Sequence, residues 1–247
     1  MKQFLTFAKN LVFPPRCAGC HTLLSPLCTG EHAVFCVECA KEWRAELCLQ
    51  CPVCFAAYPD CRCQSSLMKK AGSTGLLKLA PYGDTPRERV VRRIVLDLKR
   101  NPRRLTLHML ASELAVGLCR EIEKLGWERE NTVLVHLPRD PRSVRRHGAD
   151  QAELLARALA AEAGFSHLPL LYRTKRVKQQ KNLSASERAG NLRDAFAARE
   201  IPANCCAVLV DDVVTTGASM SAGVHALHKQ GVKNVLCVSV AQTPKKH

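Results

Sequence analysis

Two adjacent carboxylates and a loop of small and hydroxyl residues follow one another near the end of this chain, in the stretch 206–219, CAVLVDDVVTTGAS. The apolar run 207–210 is typical of a buried parallel strand, and a helical pattern begins after the loop. Loop amides that lead into a helix N-terminus bind phosphate, and Gly217 lets the backbone approach an anion closely. Asp211 and Asp212 suit sugar hydroxyls or a divalent metal. The stretch predicts a ligand with an anionic end and a diol, against the alternative of an ordinary acidic turn.

Cysteines are the second group of residues that could do chemistry, and ten of the fourteen lie at or before Cys63. The spacing of two C-x-x-C pairs, fifteen residues apart, is typical of a zinc ribbon, and a tighter set ending in C-x-C follows. We predict a double zinc ribbon that holds one or two Zn²⁺ ions through Cys17, Cys20, Cys36, Cys39, Cys51, Cys54, Cys61 and Cys63. Cys28 and Cys48 are alternative ligands. Because every position is cysteine, the zinc is expected to be structural rather than catalytic.

Charge is distributed unevenly along the 247 residues, whose net charge is +15. Residues 1–66 carry 6 Lys and Arg against 5 Asp and Glu, whereas residues 67–247 carry 31 against 17. A polyanion partner or a phosphate-rich substrate would explain this excess, and a plain solvated basic surface is the alternative. Aromatic residues make up only 5% of the chain, so binding to a nucleic-acid backbone fits better than base stacking.

No apolar run reaches the length of a membrane span, and the N-terminus lacks the pattern of a signal peptide. We expect residues 4–12 to form a short docking helix and the chain to be cytoplasmic. The periodicity favours an α/β fold with a parallel sheet flanked by helices, preceded by the small cysteine-rich domain. The predicted domains are 1–66 and 67–247, with 64–75 as a linker.

Strands are predicted at 76–82, 133–137, 170–172 and 207–210, and helices from Pro86, at 105–118, at 152–163 and after Ser219. The helix from Pro86 has a buried stripe of Val90, Val91, Ile94, Val95 and Leu98. The loop after 133–137 lies at the carboxyl end of a strand, where open α/β sheets bind ligands. It would bring Arg139, Arg145, Arg146 and His147 to a diphosphate. Residues 173–191 are polar, basic and expected outside the core.

The acidic stretch resembles the phosphoribosyl-diphosphate (PRPP) signature of type I phosphoribosyltransferases. The resemblance implies that Asp211 and Asp212 bind the ribose hydroxyls, that the loop 215–219 binds the 5-phosphate, and that Mg²⁺ accompanies PRPP. The implied PRPP-binding residues are Asp211, Asp212, Val213, Val214, Thr215, Thr216, Gly217, Ala218 and Ser219. It also implies that the loop after 133–137 holds pyrophosphate. Residues 173–191 would form a hood that closes over the ligand, and its candidate site residues are Arg173, Lys175, Gln180 and Arg188.

The order of motifs over nearly the whole chain is similar to the ComF family of competence-associated phosphoribosyltransferase-like proteins. Besides the zinc head, the residues that carry this resemblance are Tyr82, Arg93, Ile94, Leu98, Lys99, Leu137, Pro138, Arg145, Arg146, Gly148, Gln151, Arg173, Gln180, Leu183, Arg188, Asn191, Ala195 and Phe196. His147-Gly148-Ala149-Asp150 departs from the Arg-Gly-Phe-Asn usual in the family. This departure puts in doubt how the loop holds its ligand.

The ComF resemblance implies a cytoplasmic protein of natural transformation that handles incoming single-stranded DNA during uptake and keeps a PRPP site. Two alternatives stay open. The first is a genuine phosphoribosyltransferase, with no acceptor pocket readable from the sequence. The second is a zinc-dependent docking protein for an ATPase or helicase of the DNA-uptake machinery.

Overall fold

A computed structural model describes residues 14–25, 27–28, 33–83, 90–174, 194–202 and 204–244. Its helices are α1 Val37–Leu47, α2 Ser66–Ala71, α3 Val90–Arg100, α4 Arg104–Leu125, α5 Pro141–His147, α6 Gln151–Ala163 and α7 Ala218–Lys229. Its strands are β1 Gly75–Pro81, β2 Thr132–His136, β3 Ser166–His167, β4 Leu171–Arg173, β5 Phe196–Ala198, β6 Cys206–Val214 and β7 Asn234–Gln242. The predicted N-terminal helix and most of the predicted hood lie outside the described residues.

Five of these strands form one parallel sheet in the order β1-β7-β6-β2-β3. β6 lies between β7 and β2, with Val210 opposite His136 on one side and Val238 on the other. The carboxyl ends of parallel strands meet at one edge, which is the ligand-binding edge of open α/β sheets. The prediction of an α/β fold with a parallel sheet flanked by helices is therefore confirmed.

Helices cover both faces of this sheet and bury two apolar layers. On one face, residues of α3, α4 and α6 pack against alternate strand residues such as Val208 and Val238. On the other face, α2 and α7 pack through Met68, Met220 and Val224 against Leu209 and its neighbours. The predicted stripe of α3 is buried as expected. These two layers fix the helix ends that reach the carboxyl edge.

Two sequence expectations differ from the fold. The predicted linker contains a helix, α2, because Ser65 caps its first turn, Gly72 ends it in a left-handed conformation, and Met68 is fully buried. The strand predicted at 207–210 is longer than expected, since β6 continues through the acidic pair to Val214 and pairs with β7 along its length. The strand predicted at 170–172 is β4, which pairs antiparallel with β5 outside the main sheet.

The cysteine-rich head packs directly on the sheet domain. Cys17, Phe35 and Trp43 belong to the same buried cluster as Leu77 and Ile94. The domain boundary at residue 66 remains a prediction. No helix within the described ranges is both long and apolar enough to cross a membrane.

Candidate functional site

The acidic pair lies on β6 at the carboxyl edge of the sheet. Asp211 Oδ1 accepts the N–H of Asp212 at 2.8 Å, and Asp212 Oδ1 accepts the N–H of Val213 at 2.7 Å. The second oxygen of Asp212 lies 3.2 Å from Lys99 Nζ. Burial raises the pKa of Asp211 well above its usual value, and the adjacent Asp212 adds to this shift. The pair is thus fixed by its own backbone, and a cation or hydroxyl donors bound to its oxygens would oppose the rise in the pKa of Asp211.

The loop after β6 turns directly into α7. Thr215 and Thr216 are exposed, and Gly217 has a φ of 81° at the N-cap of the helix. The hydroxyl of Thr216 accepts the N–H of Ala218 at 3.3 Å. Gly217 also lies against the head, because a Cβ built on it would come within 2.3 Å of Ser65 Oγ. The backbone amides at the start of this twelve-residue helix, with hydroxyls beside them, are suited to an anion.

The carboxylates and the start of α7 line one cavity of about 130 Å³. Its walls are formed by Lys99, Leu137, Pro138, Arg139, Asp150, Gln151, Ala152, Arg173, Asp211, Asp212 and Ser219. Of the sequence-predicted residues, Arg139, Arg173, the acidic pair and Ser219 therefore meet. Within the described part of the chain, Arg145 and Arg146 are exposed on α5 and do not line this cavity. Lys175, Gln180, Arg188 and the side chain of His147 lie outside the described residues.

Two arginines of the cavity are held in place by neighbouring groups. The N–H of Arg139 donates to Asp150 Oδ2 at 2.8 Å, and its guanidinium donates to Gln151. Asp150 also caps α6 by accepting the N–H of Ala152 at 3.1 Å. Arg173 Nε donates to the carbonyl of Pro138 at 3.0 Å, and its guanidinium lies 4.9 Å from the centre of the Phe196 ring. Both guanidinium groups are thereby oriented before any ligand is bound.

Sequence reasoning assigned no role to Lys99, Asp150 or Gln151. The N-cap position of Asp150 could have been predicted, since an aspartate directly before a helical pattern is a strong N-cap. Nothing in the local pattern indicated that Lys99 would meet Asp212, because the two are more than a hundred residues apart and meet only through the packing of α3.

A pair of histidines lies beside this site, at the ends of β2 and β3. His136 Nδ1 is 3.0 Å from His167 Nε2. Burial lowers the pKa of both rings, so the pair favours the neutral form and shares one proton across the hydrogen bond.

The predicted cysteine ligands meet in two clusters, Cys17, Cys20, Cys36, Cys39 and Cys51, Cys54, Cys61, Cys63. In each, all four Sγ atoms lie within 4.8 Å of one another. A tetrahedral zinc–thiolate site, with Zn–S bonds of about 2.3 Å, needs sulfur atoms at this spacing, so the residues fit the ion. Burial raises the pKa of Cys61, and the buried ammonium of Lys78, 3.1 Å from Cys61 Sγ, opposes that shift.

Comparisons with known proteins show which domain and which relatives this chain is similar to. Residues 143–247 match the model of the phosphoribosyl transferase domain. The DNA utilization protein YhgH of Salmonella typhimurium is 29% identical over 219 residues, covering 83% of this chain and 88% of that protein. Competence protein F of Haemophilus influenzae is 36% identical over 95 residues, covering 36% of this chain and 41% of that one. These matches support a phosphoribosyltransferase-like protein similar to the ComF family.

The similarity to the ComF family rests on the domain model and these relatives, and the two cysteine clusters agree with it. A purine phosphoribosyltransferase from Pyrococcus horikoshii is similar at a TM-score of 0.35, with 14% identity over 58% of this chain and 87% of that one. TT1426 from Thermus thermophilus is similar at 0.33, with 20% identity over 57% of this chain and 85% of that one.

Proposed function

We propose that this chain binds PRPP, together with Mg²⁺, at the carboxyl edge of β6. The observation that carries the proposal is the single cavity in which two carboxylates, the start of α7 and three cationic side chains meet. A sugar that carries phosphate at one end, hydroxyls in the middle and diphosphate at the other would find a chemical partner for each part among these groups.

Each part of the proposed ligand has a chemical partner. Asp211 and Asp212 accept hydrogen bonds from the ribose hydroxyls or hold the ligand's Mg²⁺ through oxygen. The loop amides and hydroxyls of residues 215–219 bind the 5-phosphate at the start of α7. Arg139 and Arg173 provide oriented guanidinium donors for the diphosphate.

We further propose that both cysteine clusters hold structural Zn²⁺. The support is the number, type and spacing of the thiols, which leave no coordination position open for water. The metals would supply folding free energy to a head that has little core of its own.

The biological role that we propose is DNA utilisation during natural competence, through binding of single-stranded DNA in the cytoplasm. Support comes from the names of the two relatives and from the net charge of +15, most of it on residues 67–247. An ATPase or helicase partner stays a prediction.

Transfer of the ribosyl group to an acceptor is a second candidate function. A larger cavity of about 670 Å³ lies beside the first and shares Arg173 with it. Tyr172, Phe196 and Ala226 also line it, so it offers space and apolar walls for an acceptor. Release of pyrophosphate from PRPP in the presence of single-stranded DNA, followed by mass spectrometry of the DNA, would distinguish transfer from binding.

Calorimetric titration with PRPP and Mg²⁺ tests the proposed site. Asp211→Asn and Asp212→Asn should each weaken PRPP binding by about tenfold or more, because each loses a charged partner of the ligand. Glu130→Gln, an exposed carboxylate outside the cavity, is the matched control and should bind like the wild type. Wild-type protein that does not bind PRPP, or acidic variants that bind unchanged, would contradict the proposal.

Stability measurements separate lost binding from lost folding in these variants. The raised pKa of Asp211 means that ionising it costs stability, and that this cost grows as pH rises from the ordinary aspartate value towards the raised one. Asp211→Asn should therefore melt higher than the wild type at neutral pH, by about 3 °C for each kcal/mol relieved. It should also flatten the pH dependence of melting in that window.

Salt dependence tests the DNA part of the proposal. Binding of single strands through phosphate contacts releases counterions, so log K should fall linearly with log salt concentration. Affinity that does not change with salt would rule out backbone binding.

A further inference from the structure

Lys99 is a cationic residue of the candidate site. It contacts the acidic pair, but none of the ligand contacts proposed above involves it. Its ammonium lies 3.2 Å from Asp212 Oδ2, and its side chain is 30% exposed while that of Asp212 is 18% exposed. It lines the same cavity as Arg139 and Arg173. The ammonium of a partly buried ion pair inside a ligand cavity can also bind an anionic ligand, and a ligand of higher charge gains more from this contact.

The position of Lys99 is set by the helix that carries it. Lys99 lies in the last turn of α3, whose Val90, Val91, Ile94 and Leu98 are fully or almost fully buried. Its near neighbour Arg100 is exposed and does not line the cavity. The helix start is held by Glu46, whose carboxylate accepts the N–H groups of Val90 and Val91 at 2.8 and 3.0 Å. The ammonium is therefore delivered to the cavity by a fixed element.

The partners of the three cations differ in one decisive respect. Arg139 is held by Gln151 and by the Asp150 contact of its own backbone, and Arg173 by a carbonyl and a ring. The charge partner of Lys99 is Asp212, one of the two carboxylates proposed to hold ribose hydroxyls or Mg²⁺. When Asp212 takes a hydroxyl or a cation, its attraction for the ammonium weakens, and Lys99 becomes available inside the cavity.

We propose that Lys99 is a binding residue for the diphosphate of PRPP, shared between Asp212 and that group, and that it sets the preference for PRPP over ribose 5-phosphate. This inference rests on the proposed PRPP site. A lysine on a four-carbon stem acts as a mobile point charge, so one ammonium can serve both anions without a change of backbone. Ribose 5-phosphate has the same hydroxyls and 5-phosphate but no diphosphate, and so it gains nothing from Lys99.

Titration with two ligands tests this assignment, with Mg²⁺ present throughout. Lys99→Met keeps the apolar stem and should weaken PRPP binding by about tenfold or more, the effect of one charge-assisted contact. Binding of ribose 5-phosphate should stay the same or become tighter, since Asp212 loses a competing partner. Lys99→Arg keeps the charge and should retain PRPP binding within about threefold of the wild type, because a guanidinium also pairs with phosphate.

Arg100→Met is the matched control, since it removes one charge from the same helix end outside the cavity. It should leave both affinities within about twofold of the wild type, because an exposed charge contributes little. Equal weakening of both ligands by Lys99→Met would overturn the inference and assign Lys99 to the fold, and unchanged PRPP binding would overturn it as well. A wild-type chain that binds neither ligand would instead refute the proposed function on which the inference depends.

Discussion

The two halves of the candidate site are supported by different parts of the head and by different physics. The acidic half depends on charge. Glu46 of α1 accepts the first described N–H groups of α3, and Lys99 at the other end of α3 pairs with Asp212. α1 begins between two members of the first cysteine cluster, Cys36 and Cys39. A change of charge along this path should therefore reach the carboxylates.

The phosphate half depends on fit. Gly217 faces Ser65 and Met68, and a Cβ on Gly217 would lie 2.3 Å from Ser65 Oγ and 3.0 Å from two Met68 atoms. The hydroxyl of Ser221 donates to the carbonyl of Leu67 at 3.0 Å. α2 starts three residues after Cys63, the last cysteine of the second cluster. A change of volume here should move the loop even where no charge is altered.

The contrast assigns each cysteine cluster to one part of the ligand. The first cluster should affect contacts to the diphosphate through α3 and Lys99. The second should affect contacts to the 5-phosphate through α2 and the loop. Ribose 5-phosphate and PRPP share the 5-phosphate but differ in the diphosphate, so titrations with the two ligands separate these paths.

Loss of a ligand from the second cluster should have the largest effect. Cys61→Ser removes a buried thiol beside Lys78, and a structural zinc contributes several kcal/mol of folding free energy, so melting should fall by about 10 °C or more. Binding of both ribose 5-phosphate and PRPP should weaken. Metal analysis should find one zinc fewer per chain.

Cys17→Ser is the matched variant in the first cluster, since Cys17 is equally buried. It should also lose one zinc, but it should weaken PRPP more than ribose 5-phosphate. If Cys17→Ser weakened ribose 5-phosphate as much as Cys61→Ser does, the division of labour between the clusters would be wrong.

Gly217→Ala should have the next largest effect. The added methyl group would collide with Ser65, and an alanine at a φ of 81° costs roughly 1–2 kcal/mol in strain alone. We expect ribose 5-phosphate binding to weaken by about tenfold, measured by calorimetry, because the loop must shift away from α2.

Gly126→Ala provides the control for strain without collision, since Gly126 also has a positive φ but has nothing within 4 Å of its added Cβ. It should lower the melting temperature without changing ligand affinity. Ser65→Gly keeps an acceptable N-cap residue and should restore part of the affinity of Gly217→Ala. Equal affinities for the two alanine variants would show that the contact of Gly217 with Ser65 and Met68 does not control ligand binding.

The sequence was sufficient for those parts of the fold and site that depend on local pattern. The stretch 207–219 predicted its strand, its acidic pair and its helix start, since strand, loop and cap residues are contiguous there. The cysteine spacings likewise predicted both clusters, because each pair of thiols lies in one short turn. The parallel sheet could be predicted because short apolar runs alternate with helical patterns along the chain.

What the sequence could not predict depends on contacts between distant elements. Residues 64–75 are polar and small, and although Ser65 and Gly72 mark the ends of α2, the burial of Met68 in the layer shared with α7 depends on distant residues. The pairing of Lys99 with Asp212 requires the α3 crossover to be placed first. Arginine spacing alone could not show that Arg139 faces the cavity while Arg145 and Arg146 face solvent on α5.

Glu46→Gln should give the smallest effect on binding and is the sharpest test of the charge path. The amide keeps one acceptor oxygen but loses the negative charge and one of the two hydrogen bonds to the backbone of α3, which should cost about 2 kcal/mol, or about 6 °C in melting. Because α3 then holds Lys99 less firmly, PRPP binding should weaken by about twofold to threefold while ribose 5-phosphate binding stays constant. Glu42→Gln on the same helix removes an exposed carboxylate that pairs with Arg93, and it should alter neither affinity. A loss of ribose 5-phosphate binding in Glu46→Gln would mean that α3 supports the whole site by packing, and the distinction between a half held by charge and a half held by fit would fail.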